Sequence, residues 1–152
     1  MERNTFAIKV FEGKTHEFRQ LTGRKWKELT HILDERSAGN FSMWQIEDIV
    51  FAYYETESED ALLGQRLKEL FEDAGVCFSW ISDPTRKMRL MYSDFGIVRE
   101  NKEMIRHRVF VTRLKDGCEE EYRRRHKALE DERGSEPDPG PDSNFSIWYA
   151  GG

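Results

Sequence analysis

The chain lacks the residue patterns from which metal centres and disulfide frameworks are built. Only two cysteines occur in 152 residues, Cys77 and Cys118, and they form no CxxC or other metal-like spacing. The four histidines form no HxxxH or HExxH pattern. We therefore expect a metal-free protein in a reducing, cytoplasmic environment.

Long apolar runs and an excess of positive charge are also missing. No apolar stretch approaches membrane-spanning length, and the N-terminus lacks the basic-then-apolar pattern of a signal peptide. The net charge of -5 argues against nucleic acid as a partner, although Arg123, Arg124 and Arg125 are consecutive. These arginines follow three glutamates and are typical of a solvated helix face. With 35% charged and 38% hydrophobic residues, the composition indicates a soluble globular protein that binds neither nucleic acid nor membrane.

Apolar spacing along the first hundred residues predicts alternating strands and helices. Phe6, Ile8 and Val10 alternate as in a half-buried strand. The predicted elements are a strand at 5–10, a helix at 15–36, strands at 41–45 and 49–55, a helix from about 58 to 74, and a last strand within 92–99. Pro84 and its basic neighbours favour a loop over most of 76–90. The order βαββαβ predicts a ferredoxin-like α+β sandwich, with an antiparallel sheet and both helices on one face.

The sequence repeats itself after a shift of 104 positions, without a gap from Phe6 to Trp44. Identical pairs include Phe6 and Phe110, Gly13 and Gly117, Glu17 and Glu121, Arg19 and Arg123, Asn40 and Asn144, Phe41 and Phe145, Ser42 and Ser146, and Trp44 and Trp148. We interpret this as a tandem duplication, with a first domain at 1–100 and a partial second copy at 104–152. The second copy would comprise a strand at 109–114, a turn at Asp116-Gly117, a helix at 119–133 and a strand with the Asn-Phe-Ser-Ile-Trp motif.

The two copies differ in the residues that carry chemistry. Tyr122 and His126 stand one helical turn apart, where the first copy has Phe18 and Thr22. Imidazole exchanges protons near neutral pH and a phenol hydrogen-bonds, so this pair is a candidate acid/base site. Its alternative is a packed tyrosine beside a surface histidine on a charged helix.

The second copy also ends before a complete domain could form. Three prolines and two glycines in 134–143 stop its helix, and the sequence ends after its second strand. A lone strand-helix-strand cannot bury a core by itself. The chain is therefore either a fragment, or these elements pair with the first copy's sheet or exchange with a second chain.

Four sequence motifs resemble those of the L-rhamnose mutarotases. They are Glu120-Glu121-Tyr122-Arg-Arg-Arg-His126, the two strands Asn40-Phe-Ser-Met-Trp44 and Asn144-Phe-Ser-Ile-Trp148, Val50-Phe-Ala-Tyr-Tyr54, and Trp26-Lys-Glu-Leu29. The resemblance covers nearly the whole chain, once as an almost complete domain and once as half of one. It implies a dimeric α+β barrel, here a homodimer or an intrachain pseudo-dimer.

The resemblance also implies a reaction and the residues that perform it. His126 would be the proton donor and Tyr122 a sugar ligand. Phe145 matches an aromatic that lines the sugar site but lacks its hydroxyl, and Trp148 would stack on the apolar face of a 6-deoxy sugar. Ring opening and reclosure of L-rhamnose need a proton donor and an acceptor, but no cofactor.

Two other functions remain open on the same fold. The chain could be a non-catalytic sugar-binding or assembly module, which the substitutions Phe18 and Thr22 in the first copy favour. It could also be another small cofactor-free enzyme of the barrel class, such as a monooxygenase, because fold alone does not separate these activities.

Overall fold

A computed structural model describes residues 1–73, 76–96, 108–134 and 143–151 of the chain. The chain divides into two compact units, one comprising Met1–Met88 with Ala150–Gly152 and the other Arg89–Tyr149. The division inferred from the repeat, between residues 100 and 104, remains a prediction.

The first unit has the predicted ferredoxin-like architecture. Its elements are β1 (Glu2–Val10), α1 (Thr15–Glu35), β2 (Gly39–Ile46), β3 (Ile49–Thr56), α2 (Ala61–Glu72) and β4 (Phe78–Ser82). The strands form one antiparallel sheet in the order β2-β3-β1-β4. The α+β fold class expected from the sequence is confirmed.

The core of this unit follows from the alternation of side chains along its strands. Phe6 and Ile8 of β1 are completely buried, and Ala52 of β3 is buried on the same face. They pack against the apolar stripes of both helices, represented by Leu29 of α1 and Leu67 of α2. Both helices therefore cover one face of the sheet, as predicted.

The fourth strand lies earlier in the chain than the sequence indicates. β4 spans Phe78–Ser82, within the segment for which a loop was expected. Phe78 and Trp80 face the core with ring centroids 5.3 Å apart, and the Trp80 indole donates a hydrogen bond of 3.0 Å to Glu72. A strand of five residues is too short to dominate the pattern around Pro84, so its two core aromatics went unrecognised.

In the residues that the structure describes, the second unit is a two-stranded antiparallel sheet with one helix. It contains β5 (Arg89–Gly96), α3 (Glu119–Arg133) and β6 (Ser143–Tyr149), and β5 pairs with β6. The strand expected within 92–99 thus overlaps β5, but it belongs to this sheet and not to that of the first unit.

The strand predicted at 109–114 is wrong, because these residues form neither a helix nor a strand. Phe110 is 78% exposed, whereas Phe6, at the matching position of β1, is completely buried. Alternating apolar residues form a stable strand only where neighbouring strands and a core receive them. In the second unit β5 and β6 pair with each other instead.

The two helices that follow the repeated turn begin with the same local geometry. Gly13 and Gly117 adopt φ of 73° and 74°, in the left-handed region that favours glycine. The next residues, Lys14 and Cys118, have φ of -99° and -96°, and each precedes the first helical residue. α1 begins at Thr15 and α3 at Glu119, positions that the shift of 104 superimposes.

We predict that Asp60→Ala lowers the free energy of unfolding of the first unit by about 1–2 kcal/mol, the usual value of a helix cap. Asp60 accepts a hydrogen bond of 3.0 Å from the Leu63 amide at the start of α2. Arg36 adds two hydrogen bonds of 2.7 and 2.8 Å, but it is about a third exposed and contributes less. Chemical denaturation at pH 7 measures the loss.

The same substitution has a pH signature. Hydrogen bonding from Arg36 holds the pKa of Asp60 below its ordinary value. A carboxylate with a lowered folded-state pKa stabilises above its unfolded pKa, about 3.9, and loses that contribution as the pH falls through the folded value. The difference between wild type and Asp60→Ala should therefore be complete at pH 7 and shrink below about pH 4. Asp60→Asn, which keeps the capping oxygen, is the control, and an equal loss in that variant would contradict the assignment to the cap.

Candidate functional site

Tyr122 and His126 lie on the face of α3 that is directed towards β5. Their ring centroids are 4.2 Å apart with an interplanar angle of 38°. Both side chains are half-buried, whereas Arg123, Arg124 and Arg125 between them are exposed. The helical spacing read from the sequence therefore brings the phenol and the imidazole together.

A backbone hydrogen bond defines the protonation pattern of His126. Its Nδ1 lies 3.0 Å from the carbonyl oxygen of Tyr122. A carbonyl only accepts hydrogen bonds, so Nδ1 carries the proton and Nε2 holds the lone pair of the neutral ring. His126 makes no other hydrogen bond to the described residues, and Nε2 is thus the nitrogen available to a ligand.

Tyr92 of β5 completes the surroundings of His126, and sequence reasoning missed it. Its ring meets the His126 ring edge to face, with centroids 5.3 Å apart, and it is 9% exposed. It also contacts Phe145 of β6 at 5.9 Å. We refer to Tyr92, Tyr122, His126 and Phe145 as the aromatic–imidazole cluster.

Tyr92 lies beside His126 because β5 pairs with β6 in the second unit, as β3 pairs with β2 in the first unit. Tyr92 pairs with Ile147 of β6, as Ala52 of β3 pairs with Met43 of β2. Ile147 and Met43 are related by the 104-residue shift, but Tyr92 and Ala52 are not. A comparison of copies along the sequence therefore does not reveal it, and only the strand pairing does.

Charged residues near the end of α3, Glu130 and Arg133, contact β5 around Tyr92. Arg133 forms an ion pair with Asp94, and its guanidinium carbon lies 5.9 Å from the Tyr92 ring centroid. Hydrogen bonding to Tyr92, followed by the charge of Asp94, raises the pKa of Arg133. Glu130 accepts a hydrogen bond of 3.1 Å from the Ser93 amide. These contacts fix the helix and strand relative to each other within the second unit.

Of the two aromatics that the sequence suggests on β6, the structure brings only Phe145 to the cluster. Phe145 and Tyr149 share the strand face that is directed towards α3, where the Tyr149 hydroxyl donates to Glu119 at 3.1 Å. Trp148 lies on the opposite face, and its indole donates to the Ser146 hydroxyl at 2.9 Å. The role of Trp148 as a sugar ligand stays a prediction, without geometric support.

The matching positions of the first unit hold no acid/base pair. Phe18 is 2% exposed and packs on Phe78 with centroids 5.9 Å apart. The Thr22 hydroxyl donates to backbone carbonyls of α1, at 3.1 Å to Phe18 and 3.0 Å to Arg19. This part of the first unit is packed core and helix surface.

Other site types find no counterpart in what the structure describes. Within residues 1–73, 76–96, 108–134 and 143–151, no three His, Cys, Asp or Glu side chains gather in a way that could hold a metal ion. No helix in these ranges combines the length and apolar character needed to cross a membrane.

Comparison with known proteins finds likeness in structure but no match in sequence. No protein-family model and no curated protein matches the chain. The crystal structure of an L-rhamnose mutarotase from Formosa agariphila aligns with 59% of this chain and 97% of its own, at 20% identity and a TM-score of 0.43. At this identity and TM-score, the likeness carries no argument of its own.

We predict that Glu130→Ala accelerates hydrogen exchange of the Ser93 amide on the order of tenfold, the value of one hydrogen bond to a charged acceptor. The Glu130 carboxylate shields this amide. Amide exchange measured by NMR on the full chain tests the contact. Glu132→Ala, an exposed position on the same helix, is the control and should leave the Ser93 rate unchanged. Equal rates in Glu130→Ala and wild type would contradict the contact.

Proposed function

We propose that the aromatic–imidazole cluster is the acid/base site of a sugar mutarotase acting on L-rhamnose or a related 6-deoxy sugar. The observation that carries the proposal is the hydrogen bonding and ring packing of His126. Its Nδ1 lies 3.0 Å from the Tyr122 carbonyl oxygen, and its ring contacts the aromatic rings of both Tyr122 and Tyr92. The sequence motif Glu-Glu-Tyr-x-x-x-His and the strand motifs supply the reaction class.

A single nitrogen can serve both directions of this reaction. In the protonated ring, Nε2–H gives its proton to the ring oxygen of the sugar as the bond from that oxygen to the anomeric carbon breaks. A water molecule takes the proton of the anomeric hydroxyl, and an open-chain aldehyde results. Closure on the other face of the aldehyde reverses both transfers, so protons and electrons balance and no cofactor is consumed.

The neighbouring rings suit a sugar with an apolar face. Phe145 is 46% exposed beside buried Tyr92, so its ring is open to a ligand. Aromatic rings bind the apolar face of sugars by stacking, and a 6-deoxy sugar adds a methyl group to that face. The Tyr122 hydroxyl has no hydrogen-bond partner among the described residues, so it is free to bind a sugar hydroxyl.

The repeat accounts for the presence of one candidate site in a chain with two copies. We propose a duplication in which the first copy kept the complete fold and the second kept the acid/base pair. The matched starts of α1 and α3, and the matched φ of Gly13 and Gly117, support this history. A homodimer or an intrachain pseudo-dimer, and a cytoplasmic location, belong to the same proposal.

A non-catalytic sugar-binding module is the second candidate. The observation that favours it is the first unit, where Phe18 and Thr22 stand in place of the tyrosine and histidine and Phe18 is packed away. Such a module would bind L-rhamnose without accelerating anomer exchange.

We predict that the full chain accelerates exchange between the α and β anomers of L-rhamnose, and that His126→Ala reduces this acceleration on the order of a hundredfold. Saturation transfer between the anomeric proton signals measures the rate directly. His31→Ala is the matched control, because His31 is an exposed histidine of α1 that pairs with Glu35 at 3.3 Å. An exchange rate with wild-type protein equal to that in buffer would contradict the proposal. Binding of L-rhamnose without faster exchange would support the non-catalytic sugar-binding module instead.

Tyr122→Phe separates binding from chemistry at the same site. The variant keeps the ring beside His126 and the backbone carbonyl that holds Nδ1, and it loses only the hydroxyl. We expect KM to rise about three- to tenfold, the value of one neutral hydrogen bond, with kcat nearly unchanged. Anomer-exchange rates over a range of rhamnose concentrations provide both constants. A fall in kcat with constant KM would assign the hydroxyl to proton transfer instead.

A further inference from the structure

Tyr92 is the residue of the cluster that connects His126 to the β5–β6 sheet of the second unit. Its ring meets the imidazole at 5.3 Å and an angle of 61°, an edge-to-face arrangement that is favourable for aromatic rings. Its partner strand contributes Phe145 at 5.9 Å and 62°. Tyr92 is thus held between the helix and β6.

Tyr92 is also contacted by the end of α3. The guanidinium carbon of Arg133, two turns after His126, lies 5.9 Å from the Tyr92 ring centroid, and Arg133 pairs with Asp94, two residues further along β5. Asp94 has 11% of its side chain exposed and Arg133 26%, so this pair is partly shielded from solvent. Tyr92 therefore has few alternative rotamers, and it offers His126 a fixed surface.

We propose that Tyr92, anchored by Arg133 and Asp94, is a positioning residue that holds the imidazole of His126 in one orientation and one tautomer, so that Nε2 faces the ligand. The effect of Tyr92 on catalysis rests on the proposed function, whereas its effect on the His126 orientation and tautomer can be measured without activity. Rotation of the imidazole about its Cβ–Cγ bond would take Nδ1 away from the Tyr122 carbonyl and release the tautomer, and the packed Tyr92 ring opposes this rotation.

The ring of Tyr92, and not its hydroxyl, carries this role. The contact with His126 is made ring to ring, with centroids 5.3 Å apart, and Arg133 also lies against the Tyr92 ring. The first unit has neither partner of this contact, because Ala52 stands at the matching strand position and Thr22 replaces the histidine. Positioning of a general acid is worth about tenfold or more in rate.

Nitrogen NMR of the full chain with labelled histidine tests the inference without reference to activity. At alkaline pH, where imidazole is neutral, we expect the His126 signals of a single tautomer, protonated at Nδ1. Tyr92→Phe should retain this pattern, because the ring remains. Tyr92→Leu should give a mixture of both tautomers, whereas the matched control Phe51→Leu in the first unit should leave the pattern unchanged.

A second variant covers the possibility that Tyr92→Leu unfolds α3, which circular dichroism would reveal. Arg133→Ala removes the anchor and keeps the ring, so we expect a partial shift towards the mixed pattern. An unchanged single tautomer in folded Tyr92→Leu, or in Arg133→Ala when the former is unfolded, would overturn the inference.

Kinetics separate this inference from the proposed function. We expect kcat for anomer exchange to fall about tenfold or more in Tyr92→Leu with KM nearly constant, and to stay within about threefold of wild type in Tyr92→Phe. If the wild type shows no exchange, the proposed function fails while the tautomer measurement still decides the positioning role. Loss of activity in Tyr92→Phe equal to that in Tyr92→Leu would contradict a role for the ring alone.

Discussion

The first unit depends on the pairing of one strand, β1, with neighbours on both sides. β1 pairs with β3 along one edge and with β4 along the other, and its alternate residues Phe6 and Ile8 are completely buried beneath the helices. A central strand gives each helix an apolar surface wide enough to bury its stripe. Every other element of the unit is placed relative to this strand.

The second unit lacks such a strand in its described residues, and its site follows from that difference. The matching segment, 109–114, is irregular, and β5 takes the position that β3 has in the first unit. Tyr92 thereby comes to lie opposite His126, where the first unit has the small side chain of Ala52. One member of the aromatic–imidazole cluster, Tyr92, thus comes from an element outside the repeat.

Much of the fold was predictable from the sequence, because it follows from the spacing of apolar residues and from the residues at turns. The alternation in β1, the long apolar stripe of α1 and the glycines at 13 and 117 each predicted the element that the structure contains. β4 was missed because two aromatics in a short strand carry little pattern. The irregular conformation of 109–114 was also missed, since its alternation is strand-like and only the absence of a receiving core overrides it.

The candidate site was predictable in part for the same reason. Tyr122 and His126 share a helix face because their spacing is one turn, which sequence alone establishes. Phe145 and Trp148 are three residues apart, so a strand places them on opposite faces, and both cannot line one cluster. The position of Tyr92 beside His126 depends on which strand pairs with β6. That pairing is tertiary structure, which no local sequence pattern predicts.

The proposed mutarotase activity depends on proton exchange between His126 and a bound sugar, and the rate of anomer exchange of L-rhamnose measures that step. Saturation transfer in the presence of wild-type protein should show exchange well above the rate in buffer, and His126→Ala should return it to near the buffer rate with the circular dichroism spectrum unchanged. Equal exchange in wild type and folded His126→Ala would contradict the account.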